Sequence, residues 1–207
     1  MKISNDTLVL LKNFASINTN MVFKPGTSIS TISNAKNIFA KTSITEEIPN
    51  QFAVYDLNSL LAMLTLIGDQ DVVFEEKNLV ISSSNGTFEY FYSNPEVVTA
   101  APDNEIEHND VYQFNLTGED VQMLMKAAAI TSAPTISVTC KNQNVELIVS
   151  DRKNDSSNNF KKSLGTSFDD FDVFIAVENL KVIPDAYTVS VAKTQNGKAK
   201  FLHFKHD

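Results

Sequence analysis

Four segments of the chain repeat hydrophobic residues every three or four positions, which is the spacing of a helix that buries one face. These segments lie at 4–17, 56–67, 117–130 and 177–183. The first three begin with residues that favour a helix N-cap, and the fourth ends at a proline. The pattern therefore predicts four helices, the last of them short.

Between the helical segments, short runs of β-branched and aromatic residues are separated by turn sequences such as KPGT, SSNG and QNGK. Runs of this kind, divided by glycine and asparagine, are typical of antiparallel hairpins. Fourteen strands are predicted, at 20–24, 28–33, 38–44, 52–55, 72–75, 79–83, 88–92, 111–116, 135–140, 145–150, 160–164, 171–176, 187–192 and 199–204.

The order of predicted elements occurs twice along the chain. Each half opens with a capped helix, continues with short strands, and later has a strand that runs into a second helix. The opening helices lie about 113 residues apart and the strand–helix junctions about 120 apart. Such a period suits two copies of one small α+β domain rather than a solenoid. We therefore predict domain 1 at 1–93, a proline-containing linker at 94–110 and domain 2 at 111–207.

The net charge of the chain is −8, with −6 in residues 1–105 and −2 in residues 106–207. An acidic total argues against a general affinity for nucleic acid. Arg152 is the single arginine, and the other basic residues are lysines. Because base-specific contacts depend on the guanidinium fork, this composition is poorly suited to reading a base sequence. Lysines gathered on one surface would still attract a phosphate backbone.

Several broad classes of protein are disfavoured by the sequence. No apolar run approaches the ~20 residues of a membrane-spanning helix, and the first residues do not form a secretory signal. Cys140 is the single cysteine, so we expect no internal disulfide and a reducing cytoplasm. Its alternating surroundings, ISVTCKN, favour a small core residue on a strand.

The sequence offers few groups for catalysis, since it has no glycine-rich phosphate loop and no nucleophile or zinc-protease motif. His203 and His206 lack further soft ligands for a metal. The acids Asp169, Asp170 and Asp172 would suit a hard cation, and with it a cation-dependent phosphodiesterase. A solvated turn before a strand is the simpler interpretation. We expect no enzymatic activity, no cofactor and no metal site.

The solvent-facing sides of the four predicted helices carry small or amide side chains and isolated lysines at 12, 126 and 181. An ordinary solvated surface is one interpretation. The other is a smooth wall that attracts a polyanion without fixing its register.

Three segments resemble a known family. The opening MKISNDTLVLLKNFASIN and the later AVYDLNSLLAMLTLI are similar to matching parts of the sliding clamps of T-even-type bacteriophages, which are DNA polymerase processivity factors. EDVQMLMKA, at 119–127, resembles the opening helix of that family's second domain.

The resemblance implies two clamp-type α+β domains per subunit and a head-to-tail homotrimer whose helices line the hole and whose strands form the outer sheet. It also implies that the ring encircles double-stranded DNA without sequence specificity and tethers the DNA polymerase. A clamp-loader ATPase complex would place it on DNA, and phage late-transcription factors would be further partners. The expected location is the cytoplasm of the infected bacterial host, away from membranes. The alternative is a β-rich oligomeric structural protein of the virion, in which the repeat serves assembly alone.

Three groups of site residues follow from this resemblance together with the helix faces. The predicted DNA-facing residues are Lys12, Asn13, Ser16, Lys126 and Lys181. The predicted subunit interface consists of Phe88, Tyr90, Tyr92, Phe160, Lys161, Lys162 and Leu164, with acidic Glu89 on one strand and the lysines on the other. The predicted partner pocket beside the linker comprises Val97, Val98, Ala101, Pro102, Pro184 and Phe204.

Overall fold

A computed structural model describes residues 1–103, 106–197 and 199–206. The chain divides between residues 104 and 105 into two units, here called unit 1 and unit 2. Both units combine α-helices with antiparallel strands, as predicted, and all fourteen predicted strands are present. None of the helices in these described ranges has the length and apolar character that crossing a bilayer would need.

Unit 1 contains two α-helices, seven strands and one short 3-10 turn at Pro95–Val97. The elements in chain order are α1 (Asn5–Ile17), β1 (Met21–Phe23), β2 (Gly26–Ile32), β3 (Phe39–Ile48), β4 (Phe52–Val54), α2 (Leu57–Ile67), β5 (Asp71–Phe74), β6 (Asn78–Ser83) and β7 (Gly86–Phe91). The strands form a three-stranded sheet in the order β5-β6-β7 and two antiparallel pairs, β1 with β4 and β2 with β3.

Unit 2 contains one α-helix, seven strands and one 3-10 turn at Val177–Asn179. The elements are β8 (His108–Leu116), α3 (Gly118–Thr131), β9 (Thr135–Lys141), β10 (Asn144–Ser150), β11 (Phe160–Thr166), β12 (Phe171–Ala176), β13 (Tyr187–Thr194) and β14 (Lys200–His206). The strands form a four-stranded sheet in the order β11-β10-β9-β12 and a three-stranded sheet in the order β14-β13-β8.

Each unit has its own hydrophobic core, because helices and sheets bury their apolar faces against one another. In unit 1 the buried stripes of α1 and α2 pack on the strands, and Phe14 of α1 and Leu57 of α2 belong to this core. In unit 2 the stripe of α3, including Val121 and Leu124, packs on strand residues. Cys140 is buried in this second core, as expected from its strand pattern.

The predicted fourth helix is wrong. The segment after β12 makes only the 3-10 turn Val177–Asn179 before it becomes irregular. Ala176 occupies the N-cap position and makes no side-chain cap, whereas Asp56 accepts a hydrogen bond from the Ser59 amide at the start of α2. Pro184 also forces the residue before it toward extended backbone, which leaves too few residues for a stable helix.

The predicted linker, 94–110, overlaps ordered elements at both ends. Residues 95–97 form the 3-10 turn of unit 1, and residues 108–110 begin β8 of unit 2. Residues 104 and 105 within it lie outside the described residues, as do 198 and 207 of the predicted second domain.

Candidate nucleic-acid and subunit interfaces

The start of α1 is fixed by a buried carboxylate from another element. Ser4 caps the helix by accepting from the Thr7 amide, and Glu46 of β3 accepts both the Ser4 amide and the Thr7 hydroxyl. The Thr7 Oγ1–Glu46 Oε2 distance is 2.5 Å. Burial raises the pKa of Glu46, but these hydrogen bonds from Thr7 and Ser4 outweigh it and lower the pKa to about 2. This contact could not be predicted from local sequence patterns, because Glu46 lies 39 residues from Thr7.

Two of the three predicted DNA-facing residues on α1 are exposed, namely Lys12 and Ser16. Asn13 is half-buried, and its carbonyl accepts a 2.7 Å hydrogen bond from the Ser16 hydroxyl. The ammonium of Lys12 is therefore presented on the side of the helix opposite the core stripe.

Helix α3 presents Lys126 to solvent in the same way. Its first turn is held by a capping box, in which Thr117 accepts from the Asp120 amide and Asp120 accepts from the Thr117 amide. The Lys162 ammonium also binds the Asp120 carboxylate, and this contact lowers the pKa of Asp120. The sequence indicated the capping pair Thr117 and Asp120, but not the contact between Asp120 and Lys162.

The exposed helix faces are more apolar than the sequence analysis described. Ile130 at the end of α3 is 84% exposed. Further exposed apolar residues occur on all three helices, namely Val9, Leu66 and Met123. The signal available in the sequence was that these four side chains fall outside the three-and-four spacing of the buried stripes.

Lys181 differs from the other predicted DNA-facing residues. It lies after the 3-10 turn rather than on a helix, and it is half-buried. The prediction that Lys181 lies on a helix, as Lys12 and Lys126 do, is therefore wrong. That Lys181 faces DNA stays a prediction.

Strand β7 lies at the edge of its sheet, and within the described residues its ladder runs along β6 only. Phe88 and Tyr90 point toward the core of unit 1, and the Tyr90 hydroxyl donates to the Asp56 carbonyl over 3.3 Å. The opposite face of the strand is exposed, with Glu89 and with Phe91 at 65% exposure. Phe91 was not among the predicted interface residues, although the alternation of side chains along a strand places it on the same face as Glu89 and opposite Tyr90.

Tyr92 follows the end of β7 and is half-buried. Its hydroxyl donates to the Glu75 carbonyl over 3.3 Å, and its ring packs beside Phe52, with the centroids 4.9 Å apart. Of the three predicted interface aromatics on this side, Tyr92 and Phe88 are therefore partly accessible and Tyr90 is buried.

Strand β11 is likewise an edge strand, and among the described residues its ladder runs along β10 only. Its two lysines lie on opposite faces. Lys161 is exposed, whereas Lys162 is half-buried and binds Asp120. Phe160 and Leu164 are also half-buried. Two lysines of this strand were expected to face a neighbouring subunit, but only Lys161 is exposed to solvent.

The predicted partner-pocket residues belong to both units. In unit 1, Val97 is 61% exposed and Val98 only 7% exposed, with Ala101 half-buried and Pro102 exposed.

The other two pocket residues lie in unit 2. Pro184 is exposed, and its carbonyl oxygen would lie 3.1 Å from a Cβ added at Gly118. Phe204 is half-buried and packs edge-on against Tyr187, with the ring centroids 6.0 Å apart.

Arg152 is fully engaged within unit 2. Its guanidinium binds both carboxylate oxygens of Asp172 over 2.7 Å, donates to Ser137, and lies 4.4 Å from the centre of the Phe174 ring. The guanidinium lowers the pKa of Asp172. Because Asp172 is paired with Arg152, the acidic run considered as a cation site is reduced to Asp169 and Asp170. The described residues contain no group of three or more acids, histidines or cysteines that could hold a metal.

Comparisons with known proteins match both units. Residues 4–100 match the family model described as DNA polymerase processivity factor, and residues 113–207 match that of the gp45 sliding clamp, C terminal. The sliding clamp of Vibrio phage KVP40 is 33% identical over 98% of this chain and 94% of its own length. The sliding clamp of Enterobacteria phage T4 is 30% identical over 97% and 92% respectively.

Solved structures are similar in fold. Proliferating cellular nuclear antigen from Entamoeba histolytica aligns with a TM-score of 0.64 and 16% identity, covering 96% of this chain and 93% of that one. The PCNA2–PCNA3 complex from Sulfolobus tokodaii aligns with a TM-score of 0.62 and 10% identity, covering 99% and 96%. The predicted clamp-type fold is thereby confirmed, and the chain belongs to the family of phage sliding clamps, the DNA polymerase processivity factors.

Proposed function

We propose that three copies of this chain close head-to-tail into a ring that encircles duplex DNA and tethers the replicative DNA polymerase. One observation carries the assembly. The two interface strands predicted from the resemblance, β7 in unit 1 and β11 in unit 2, both lie at the edge of a sheet. An open edge leaves backbone donors and acceptors without partners, and pairing with a second copy satisfies them.

The exposed side chains of the two edges are complementary. β7 presents Glu89 and the apolar Phe91, and β11 presents Lys161. Opposite charges across a β-pair stabilise it, while like charges directly opposite each other destabilise it. In the proposed ring, Glu89 of one subunit faces Lys161 of the next, so the contact is heterologous and repeats around the ring.

The wall that meets DNA is formed in this proposal by α1 and α3. Lys12 and Lys126 stand on their exposed faces, where the exposed apolar Val9 lies three positions from Lys12, and Met123 and Ile130 lie three and four positions from Lys126. Ammonium groups attract phosphates without selecting bases, so the ring binds any sequence and remains free to move. The acidic total of −8 keeps the remaining surface unattractive to DNA.

The partners follow from this role. A DNA polymerase binds through a peptide that occupies an apolar pocket near the segment 97–102, where Val97 is the accessible anchor. A clamp-loader ATPase opens and places the ring, and phage late-transcription factors use the same pocket. The clamp itself carries out no chemistry and works in the cytoplasm of the infected bacterium.

The proposal is tested by reversing the exposed charge on β11. Lys161→Glu places like charges across the interface. We therefore expect the variant trimer to dissociate on dilution at a concentration at least about ten-fold higher than that at which the wild-type trimer dissociates. Loader- and ATP-dependent stimulation of a cognate polymerase should fall with it. The matched control is Lys153→Glu, an exposed lysine in the loop before β11. Sedimentation velocity measures the mass of both variants.

Two outcomes would contradict the proposal. A wild-type chain that sediments as a monomer at micromolar concentration excludes the ring. A Lys161→Glu trimer as stable as that of Lys153→Glu excludes β11 as the interface strand.

A further inference from the structure

Unit 2 contains two β-bulges that a single side chain connects. Along β11 the pairing with β10 skips Leu164, which lies between Ser163 and Gly165. Along β8 the pairing with β13 skips Val111, next to Tyr112. A bulge inserts one extra residue, bends the strand and interrupts its regular ladder.

The side chain of Tyr112 joins the two irregular positions. Its hydroxyl donates to the carbonyl of the skipped residue Leu164, with an oxygen–oxygen distance of 2.6 Å. The two residues lie 52 positions apart in the chain and belong to different sheets of unit 2. The hydrogen bond therefore ties the edge strand β11 to β8.

Gly165 completes this contact. Its φ of +113° is one that residues with a side chain rarely adopt, and a Cβ added there would lie 3.1 Å from the Tyr112 hydroxyl. The backbone of β11 can therefore turn beneath the tyrosine only with glycine at this position.

The tyrosine ring is itself held in place. It packs against Phe171 and Phe114, with centroid separations of 5.8 and 6.2 Å. A ring fixed on two sides cannot follow a displaced strand, so the Leu164 carbonyl has to stay where the hydroxyl meets it. Closer to the start of β11, Lys162 is anchored to Asp120 of α3. The edge strand is thus held from inside its own subunit at two points.

This arrangement divides β11 into two parts. Residues 160–163 pair regularly with β10, whereas the pairing shifts at Leu164. A second strand added to the open edge needs a regular row of donors and acceptors, and bulges end such rows in natural sheets.

We propose that Tyr112 sets the limit of the intersubunit strand pairing, so that β7 of a second copy pairs with residues 160–163 of β11 and does not continue past Leu164. The inference rests on the proposed trimer. It assigns Tyr112 as a positioning residue that acts through the backbone of Leu164 and Gly165 and touches no partner itself.

The test compares two variants that each lose one tyrosine hydroxyl. Tyr112→Phe removes the bond to Leu164. Tyr187→Phe removes an equivalent hydroxyl-to-carbonyl bond, the 2.9 Å contact to Ile183, from β13 of the same unit, a strand that does not pair with β11. The full-length variants are compared by sedimentation for the monomer–trimer equilibrium and by amide hydrogen exchange for residues 160–168. The Lys161→Glu chain, measured below the concentration at which it trimerises, serves as the unassembled reference.

In the wild-type trimer, we expect assembly to slow exchange within 160–163 and to leave 165–168 unchanged. In Tyr112→Phe, exchange within 160–163 should quicken by about five-fold and the trimer should dissociate at about five-fold higher concentration, because every subunit loses one hydrogen bond that positions its edge strand. Tyr187→Phe should change neither quantity by more than about two-fold, although it loses a similar bond.

Three results would overturn the inference. Assembly-dependent protection of 165–168 in the wild type removes the limit at Leu164. Equal effects of the two tyrosine variants mean that Tyr112 contributes general stability only, and an unchanged Tyr112→Phe trimer means that the bond does not matter for assembly. A wild-type chain that never forms trimers instead contradicts the proposed function, which the same sedimentation runs reveal.

Discussion

Unit 1 covers its strands with two α-helices that contact each other, whereas unit 2 has α3 and, where a second helix was expected, a single 3-10 turn. The difference begins at the cap, because Asp56 caps α2 and Ala176 caps nothing. Yet the turn segment still buries Leu180, and Gly118 of α3 has no side chain where the backbone of Pro184 approaches. A short irregular segment can therefore occupy the place of a helix when it delivers one apolar anchor.

The largest expected effects are the losses of stability when the anchor Leu180, or its counterpart Leu57 in α2, is shortened to alanine. Leu57→Ala in α2 should reduce the free energy of unfolding by about 4 kcal/mol, and Leu180→Ala by about 2 kcal/mol, because an irregular segment can relax into the cavity more easily than a helix. Leu57 is 0% exposed and Leu180 7% exposed, so the two deletions are nearly matched in burial. Urea unfolding followed by circular dichroism measures both in the Lys161→Glu background, where subunits are separate. Equal costs would mean that the turn segment is as rigid as α2.

A second contrast separates the starts of α1 and α3. α3 is capped by its own Thr117 and Asp120, whereas α1 also depends on the distant Glu46. Glu46 has a folded-state pKa of about 2 against an ordinary value of 4.5, so it stabilises the fold above pH 4.5. This contribution, about 3 kcal/mol, is lost as the pH falls from 4.5 toward 2.

Glu46→Gln should therefore lower stability at pH 7 by about 2 kcal/mol, since the charged acceptor is replaced by a neutral one. It should also flatten the decline in stability between pH 4.5 and 2. The neighbouring Glu47→Gln, an exposed residue on the same strand, is the control and should change little. Unfolding curves measured across this pH range check the result, and a Glu46→Gln chain with wild-type acid sensitivity would contradict the assigned role.

The smallest effect separates the helix lysines from the lysine of the turn. Lys12→Ala and Lys126→Ala should each shorten the half-life of loaded rings on nicked circular DNA by a few-fold and reduce its salt dependence, since each variant removes three charges from a trimer. Lys181→Ala should have a smaller effect, because its side chain is half-buried and stands on no helix. Lys153→Ala is the control. A larger effect for Lys181→Ala would place the turn, rather than α3, closest to the DNA.

The sequence predicted regular elements well, because turn residues and hydrophobic spacing are local signals. Every strand and the three well-capped helices could be located from them. The fourth helix failed because its apolar spacing, Val177 and Leu180, is equally compatible with a turn that inserts two side chains. The missing cap and the proline were the stronger signals.

The contacts that organise the candidate interfaces could not be predicted, since they join residues far apart in the chain. Glu46 with Thr7, Lys162 with Asp120 and Tyr112 with Leu164 are separated by 39, 42 and 52 residues. Alternation along β11 did indicate that Lys161 and Lys162 point to opposite faces, which would have identified Lys161 as the exposed member.

The engagement of Arg152 has a consequence for movement along DNA. Its guanidinium binds Asp172 and packs on the aromatic side chain of Phe174. The assembled clamp therefore has no unpaired arginine that could bind a base edge. A single good base contact discriminates by about 1–3 kcal/mol, and such a contact would slow each step of one-dimensional diffusion by roughly ten-fold for every 1.4 kcal/mol. Because Asp172 binds this guanidinium, we expect the clamp to have a nearly level energy profile along the duplex, on which its speed does not depend on the sequence being copied.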